Sequence, residues 1–177
     1  MPGAGKSVCV EYLKNKGVPS VYFGGITLDE VKRRGMDVNA ASEKFVREDI
    51  RAKEGAGAYA VRIIQQIEDL FDQGNNYVVV DGLYSWTEYK IFKGSFGDNA
   101  IIIAVVAPRN FRHKRLATRA DRPLTEADAS ARDYAEIENI EKGGPIANAD
   151  YFLANSSSVE DLQKDLQALL DELKIEF

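Results

Sequence analysis

The residues Gly3-Ala4-Gly5-Lys6-Ser7, followed at once by a helical pattern, constrain this chain more than any other feature. They reproduce the second half of the phosphate-loop pattern G-x-x-x-x-G-K-[ST]. Glycines let such a backbone curl until successive N–H groups point inward at phosphate oxygens, and the positive end of the following helix adds to that field. In a loop of this kind Gly3, Ala4 and Gly5 cradle the phosphates, Lys6 reaches the β- and γ-phosphates, and the Ser7 hydroxyl ligates Mg²⁺. The same residues could form a plain glycine-rich turn capping a helix; the helix directly behind Lys6 and Ser7 favours the phosphate reading, because the motif demands that context. The first glycine of the pattern would fall one residue before Met1, and the strand that feeds such loops is absent. That strand is central and paired on both sides. Without it two buried strands each present an unpaired edge and forfeit several hydrogen bonds, at roughly 0.5–1.5 kcal/mol each. The expectation is that the gene product begins upstream of Met1.

The remaining chain alternates apolar runs with helical periodicities. A helix is expected over residues 7–16, with Val10 and Leu13 apolar and Gly17 at its end. A short strand follows over 18–23, closed by Gly24 and Gly25, then a helical region from about 39 to 53. A stronger helix runs from Ala58 to Gln73, where Ala60, Ile63, Ile64, Ile67 and Phe71 fall on one buried face. The runs 77–82 and 101–106 are continuous and rich in β-branched residues, as suits strands buried on both faces of a parallel sheet, and 151–153 is a weaker third. A closing helix over 159–173 turns Leu162, Leu166, Leu169, Leu170 and Leu173 inward, with Ser158 and Asp161 as a capping box. With 177 residues this reads as one doubly wound α/β domain over 1–177.

Asp81 closes the run Val78-Val79-Val80. A carboxylate at a strand's C-terminal end beside a phosphate loop is where Mg²⁺ is held through a water; the alternative is an ordinary Asp-Gly turn. Between residues 109 and 122 six basic side chains, Arg109, Arg112, Lys114, Arg115, Arg119 and Arg122, face the single acid Asp121. A helix continuing to Pro123 would put Arg112, Arg115, Arg119 and Arg122 on one face, where a polyphosphate would relieve their repulsion; a solvated basic face is the alternative. Residues 118–133, charged and poor in large apolar side chains, read as a lid, with Arg132-Asp133 as a further arginine contact. His113 is expected on the surface without a catalytic role, and Cys9 in the core of the first helix.

Composition excludes several function classes. Lys plus Arg total 23 against 28 Asp plus Glu, a net charge of −5, which disfavours non-specific nucleic-acid or membrane-surface binding. One cysteine and one histidine rule out a disulfide framework, a multi-cysteine metal site and a His-pair zinc site. No apolar run approaches the roughly 20 residues of a membrane span. The expected compartment is the cytoplasm.

Several segments together resemble the adenylate-kinase-related proteins of the phosphate-loop nucleoside monophosphate kinase superfamily, and within it an archaeal-type adenylate-kinase-like group near the dephospho-coenzyme A kinases. They are Met1 to Ser7, Ile50-Arg51-Ala52-Lys53-Glu54-Gly55, Val79-Val80-Asp81-Gly82, Ala107-Pro108 leading to Arg112 and Arg115, Arg119 with Arg122, Arg132-Asp133, and Ala149-Asp150 to Asn155. The resemblance implies a three-layer fold with a five-stranded parallel sheet, a helical acceptor-binding insertion over about 28–58 and a lid over about 118–133. It implies Mg-ATP as donor, Arg51 directed at an acceptor phosphate, Arg119, Arg122 and Arg132 around the transferring phosphoryl group, Arg115 as a nucleotide contact, and the stretch around Asn155 against adenine. Two departures fall on the acceptor side. Where family members carry Met-Gly-Asp and a nearby arginine, this chain reads Phe23-Gly24-Gly25-Ile26-Thr27-Leu28, and Tyr84 stands near where an arginine is common.

The expected activity is therefore transfer of the ATP γ-phosphate to a small phosphate- or hydroxyl-bearing metabolite, a nucleotide or nucleotide-like acceptor, with ATP and Mg²⁺ required. The alternative is a nucleotide-dependent switch or regulatory ATPase with no acceptor.

Overall fold

A computed structural model describes residues 1–120 and 122–177; Asp121, the acid inside the basic run and the expected lid, lies outside the described residues. In chain order the elements are α1 (Lys6–Asn15), β1 (Ser20–Tyr22), α2 (Phe23–Arg33), α3 (Ala40–Glu54), α4 (Ala58–Asp72), β2 (Val79–Asp81), α5 (Trp86–Phe96), a 3-10 turn (Gly97–Asn99), β3 (Ile103–Val106), α6 (Arg109–Thr118), α7 (Glu126–Glu138), α8 (Gly143–Ala147), β4 (Tyr151–Ala154) and α9 (Val159–Glu172). They group into two compact units. One comprises Met1–Gly17, Tyr84–Trp86 and Ile101–Phe177; the other comprises Val18–Leu83 and Thr87–Ala100.

In the first unit β3 and β4 pair in parallel, from Ile103 opposite Tyr151 to Val106 opposite Ala154. A parallel pair needs a long crossover, which α6, α7 and α8 supply. The amphipathic α9 buries Leu162, Leu166, Leu169 and Leu170 against Cys9 of α1 and Leu153 of β4, so Cys9 is a core residue as expected. Burial pushes its thiol up to about 11. The expected capping box forms: Asp161 N–H donates to Ser158 Oγ at 3.1 Å and Ser158 N–H to Asp161 Oδ2 at 3.4 Å. Thr125 and Asp128 build a second one on α7.

In the second unit β1 and β2 pair in parallel, from Ser20 opposite Val79 to Tyr22 opposite Asp81. Ala60, Ile63 and Ile67 of α4 are buried as their spacing predicts. Phe71, assigned to the same face, is 41% exposed, in the last turn before the chain reverses at Gly74. Glu30 of α2 accepts hydrogen bonds from Arg33 and Arg34, which lower its carboxyl to about 2. Arg34 also donates to Asp49 of α3 at 2.7 Å, tying the two helices together.

Three expectations are corrected. The runs expected to be strands buried on both faces fall in two parallel pairs of described strands, β1 with β2 and β3 with β4. Each has one hydrogen-bonded neighbour, so Val79, Val80, Ile103, Val105 and Val106 stay half-buried and only Ala104 of the two runs' strand residues is buried. The strand expected over 18–23 ends at Tyr22, and the chain enters α2 through Gly24 and Gly25 instead of terminating there. The Tyr22 ring lies so close over Gly24 that a Cβ there would sit 2.3 Å from it. Finally, α6 stops at Thr118, five residues before Pro123. Arg119 turns extended, and Leu124 N–H returns to cap the Leu116 carbonyl at 3.0 Å.

Candidate functional site

The loop of residues 1–5 turns into α1 through two left-handed glycines, Gly3 (φ +76) and Gly5 (φ +104). Both are closely approached. A Cβ on Gly3 would lie 2.7 Å from the Arg112 carbonyl oxygen, and one on Gly5 would lie 2.1 Å from the Asn155 amide nitrogen. No other residue type adopts this conformation in this space without strain. The helix begins at Lys6 with neither a side-chain cap nor an acidic residue in its first turn, so the positive end of its dipole is not offset by its own sequence. Ser7 is exposed and Lys6 half-buried beside it. Burial first, and then the charge of Lys142, lowers the Lys6 ammonium to about 8.

Side chains of the first unit grip the loop from the far side. Arg112 Nη1 donates to the Pro2 carbonyl at 3.1 Å. Arg115 Nη1 donates to the Asn155 carbonyl at 3.1 Å and, at the long distance of 3.5 Å, to that of Gly3, while its Nη2 donates to Asn155 Oδ1 at 3.1 Å. Asn155 Nδ2 donates to the Ala4 carbonyl at 2.8 Å, and its backbone N–H to the Val106 carbonyl at 2.7 Å.

Behind this grip lies a buried ionic network. Arg112 forks onto Asp133 of α7 at 2.8 and 2.7 Å. Contrary to the surface position expected from the sequence, His113 is 4% exposed, with Nδ1 2.9 Å from Glu126 and Nε2 3.0 Å from Asp133. Burial pushes the Asp133 carboxyl up, but the Arg112 and His113 hydrogen bonds together outweigh it and hold the group below its usual range. Arg109 reaches the same Glu126 at 3.1 Å.

The four-arginine face is therefore divided. Arg112 and Arg115 are engaged with the loop and Asp133. Arg119 lies beyond the helix end and donates to the Arg122 carbonyl at 2.5 Å, and Arg122 itself is exposed at φ +49. Arg132 is exposed on α7, 3.3 Å from Glu136. Glu136 also accepts from Lys142, whose ammonium sits 4.7 Å over the Tyr84 ring. Lys142 and Glu136 are absent from the residues picked out by motif. Asp133 is named there only beside Arg132, and its place four residues after the buried Ala129 on α7 is the sequence signal for its burial.

In the second unit Asp81 closes β2, half-buried. Arg51 of α3 has its Nη2 3.5 Å from Glu88, a residue 1% exposed on α5 that no motif marked, and its guanidinium 5.0 Å over the Tyr59 ring. The Tyr59 and Thr27 hydroxyls bond at 2.7 Å.

The AAA domain family model matches residues 1–141. A UPF0200 protein of Thermococcus kodakarensis is 36% identical over 98% of this chain and 94% of its own length, and one of Thermococcus gammatolerans is 35% identical over 98% and 92%. Among solved structures, TT1252 from Thermus thermophilus superposes with a TM-score of 0.66 at 21% identity, covering 97% of this chain and 93% of that one. Dephospho-CoA kinase from Campylobacter jejuni superposes at 0.52 and 18%, covering 96% and 91%. Among the described residues no helix is long and apolar enough to cross a membrane. With 36% identity to a UPF0200 protein over nearly its whole length and a match to the AAA domain family over residues 1–141, the chain belongs to the UPF0200 proteins and carries an AAA domain.

Proposed function

We propose that this protein is an ATP-dependent phosphotransferase of nucleotide-kinase type. One observation carries the reading: α1 opens directly behind Gly5 with no cap and no acid in its first turn, with Lys6 half-buried and Ser7 exposed at that end. A polyphosphate placed there would meet oriented N–H groups, the helix dipole and an ammonium whose charge is costly to keep in its absence. Gly3, Ala4, Gly5 and Lys6 would bind the phosphates. The Ser7 hydroxyl fits a hard cation, with Asp81 as the second metal-side group that the sequence pattern assigns. Mg²⁺ would neutralise charge on the β- and γ-oxygens; the protein's part is to orient the phosphates and exclude water. Arg119, Arg122 and Arg132 are proposed to surround the transferring group, and Arg51 to bind the acceptor, a nucleotide or nucleotide-like metabolite. The test is transfer of label from γ-labelled ATP to a panel of nucleoside monophosphates and dephospho-coenzyme A. Labelled product with the intact protein and none with Lys6→Ala supports the reading; label released only as phosphate opposes it.

A second reading, ATP binding or hydrolysis without an acceptor, draws on the pairing of Arg51 with the buried Glu88 and its stacking on Tyr59, which leave that arginine already partnered. Under it Arg51→Ala leaves turnover unchanged; under the kinase reading it weakens acceptor use.

A further inference from the structure

Three consecutive peptide groups of the loop have their carbonyls held by side chains from distant parts of the first unit. Pro2 is held by Arg112, Gly3 by Arg115 and Ala4 by Asn155. Because a trans peptide is planar, its C=O and the following N–H point in opposite directions. Fixing those carbonyls therefore fixes the N–H groups of Gly3, Ala4 and Gly5 on the opposite side; that of Ala4 also reaches the Met1 carbonyl at 3.3 Å. A loop free to rotate these planes could turn partly negative carbonyl oxygens toward an anion.

We infer that Arg112, Arg115 and Asn155 are positioning residues: they clamp the loop's carbonyls outward so that the N–H groups of Gly3 and Gly5 stand ready for polyphosphate. The inference rests on the ATP reading above and assigns Arg115 and Asn155 a different task from the nucleotide contacts that resemblance implies for them. The clamp is built to be stiff. Arg112 is 6% exposed and its fork is anchored on Asp133, 21 residues away on α7. Asn155 is 6% exposed, uses its amide for both Ala4 and Arg115, and is locked to β3 through its backbone. Asn155 also fills the space a Gly5 side chain would need, so the loop glycine and the clamp fit only each other. Arg112 is neutralised by its fork on Asp133, whereas Arg115 bonds neutral oxygens, so its guanidinium adds positive field behind the loop.

Hydrogen–deuterium exchange of residues 3–8 in the ligand-free protein tests the clamp without assuming any ligand. Asn155→Ala and Arg115→Gln are expected to speed exchange in that segment about tenfold while the amides of α9 hold their rates. Calorimetry with Mg-ATP, inorganic tripolyphosphate and adenosine completes the test. Affinity for ATP and for tripolyphosphate should fall together, by about tenfold, with adenosine unaffected. Unchanged loop exchange in both variants overturns the clamp, as does loss of adenosine binding with tripolyphosphate retained, which marks an adenine contact. Exchange rising equally throughout the unit also overturns it, because the residues would then be merely structural. If the intact protein binds neither ATP nor tripolyphosphate, the kinase reading fails while the exchange result still decides the clamp.

Discussion

Gly5→Ala perturbs the loop at its tightest point. The residue sits at φ +104, where a side chain strains the backbone by about 1–3 kcal/mol. Its new Cβ would lie 2.1 Å from Asn155 Nδ2, 3.2 Å from Asn155 Cγ and 3.3 Å from a Leu162 methyl. Asn155 is held by Arg115 and by its own backbone, so relief requires it to abandon the Ala4 carbonyl, leaving a buried acceptor unpaired at about 1–3 kcal/mol. The combined loss is about 2–6 kcal/mol, or a fall in Tm of roughly 5–20 °C for a chain of this size. Gly17→Ala separates the two contributions: Gly17 is at φ +87 with nothing within 4 Å of where its Cβ would stand, so it bears only the backbone strain. Thermal unfolding of both variants, with ATP titrations of each, is the assay. Gly5→Ala should be the more damaging by at least about 1 kcal/mol and should also lose ATP affinity, which Gly17→Ala keeps. Equal Tm shifts for the two variants, or normal ATP affinity in Gly5→Ala, would refute the packing of Asn155 against the loop.

Other perturbations test separate parts of the structure. Asp133→Asn strips the carboxylate from buried Arg112 and His113 and should cost about 3–5 kcal/mol in denaturant unfolding, whereas the double variant Arg112→Leu/Asp133→Leu should recover part of that; equal losses would argue against a tightly coupled pair. Because the Asp133 carboxyl is held below its unfolded value, its contribution is present above about pH 4 and fades as pH falls through the folded-state value. Acid titration of stability should therefore be shallower in Asp133→Asn. Lys6, lowered to about 8, should regain its proton when a polyphosphate binds, so ATP affinity falls as pH rises above about 8, and calorimetry near pH 8.5 in buffers of different ionisation heat should register proton uptake, absent in Lys6→Ala. Leu162→Ala removes a side chain 1% exposed from the core of the first unit and should lower stability by about 2–5 kcal/mol, read from the denaturant midpoint; a loss under about 1 kcal/mol would mean that the α1–α9 packing is loose.

Features with a short-range cause were legible in the sequence. Ser158 and Asp161 cap α9 because the reciprocal bonds span three residues, and the leucines that follow repeat at helical spacing. Gly3, Gly5, Lys6 and Ser7 announce a loop-to-helix turn for the same local reason. Long-range partnerships were not legible. Arg112 looks like any member of a basic run until Pro2, 110 residues away, and Asp133 take up its donors. His113 looks like a surface histidine until Glu126 and Asp133 close on it. Asn155 reads as a loop residue until it meets Ala4 across 151 residues. The start of α2 is hidden because Gly24 and Gly25 read as strand terminators, although their place is set by the Tyr22 ring that covers them. The continuous runs at 77–82 and 101–106 mark strands correctly but overstate their burial, since how many neighbours a strand has is a matter of topology and not of its own composition.

The most direct measurement is calorimetric titration of this chain with Mg-ATP, beside Lys6→Ala. Saturable binding by the intact chain that Lys6→Ala loses is the expected result. An intact chain that takes up no Mg-ATP, or a variant that binds it as tightly as the original, would contradict a phosphate-binding role for the loop at Gly3–Ser7.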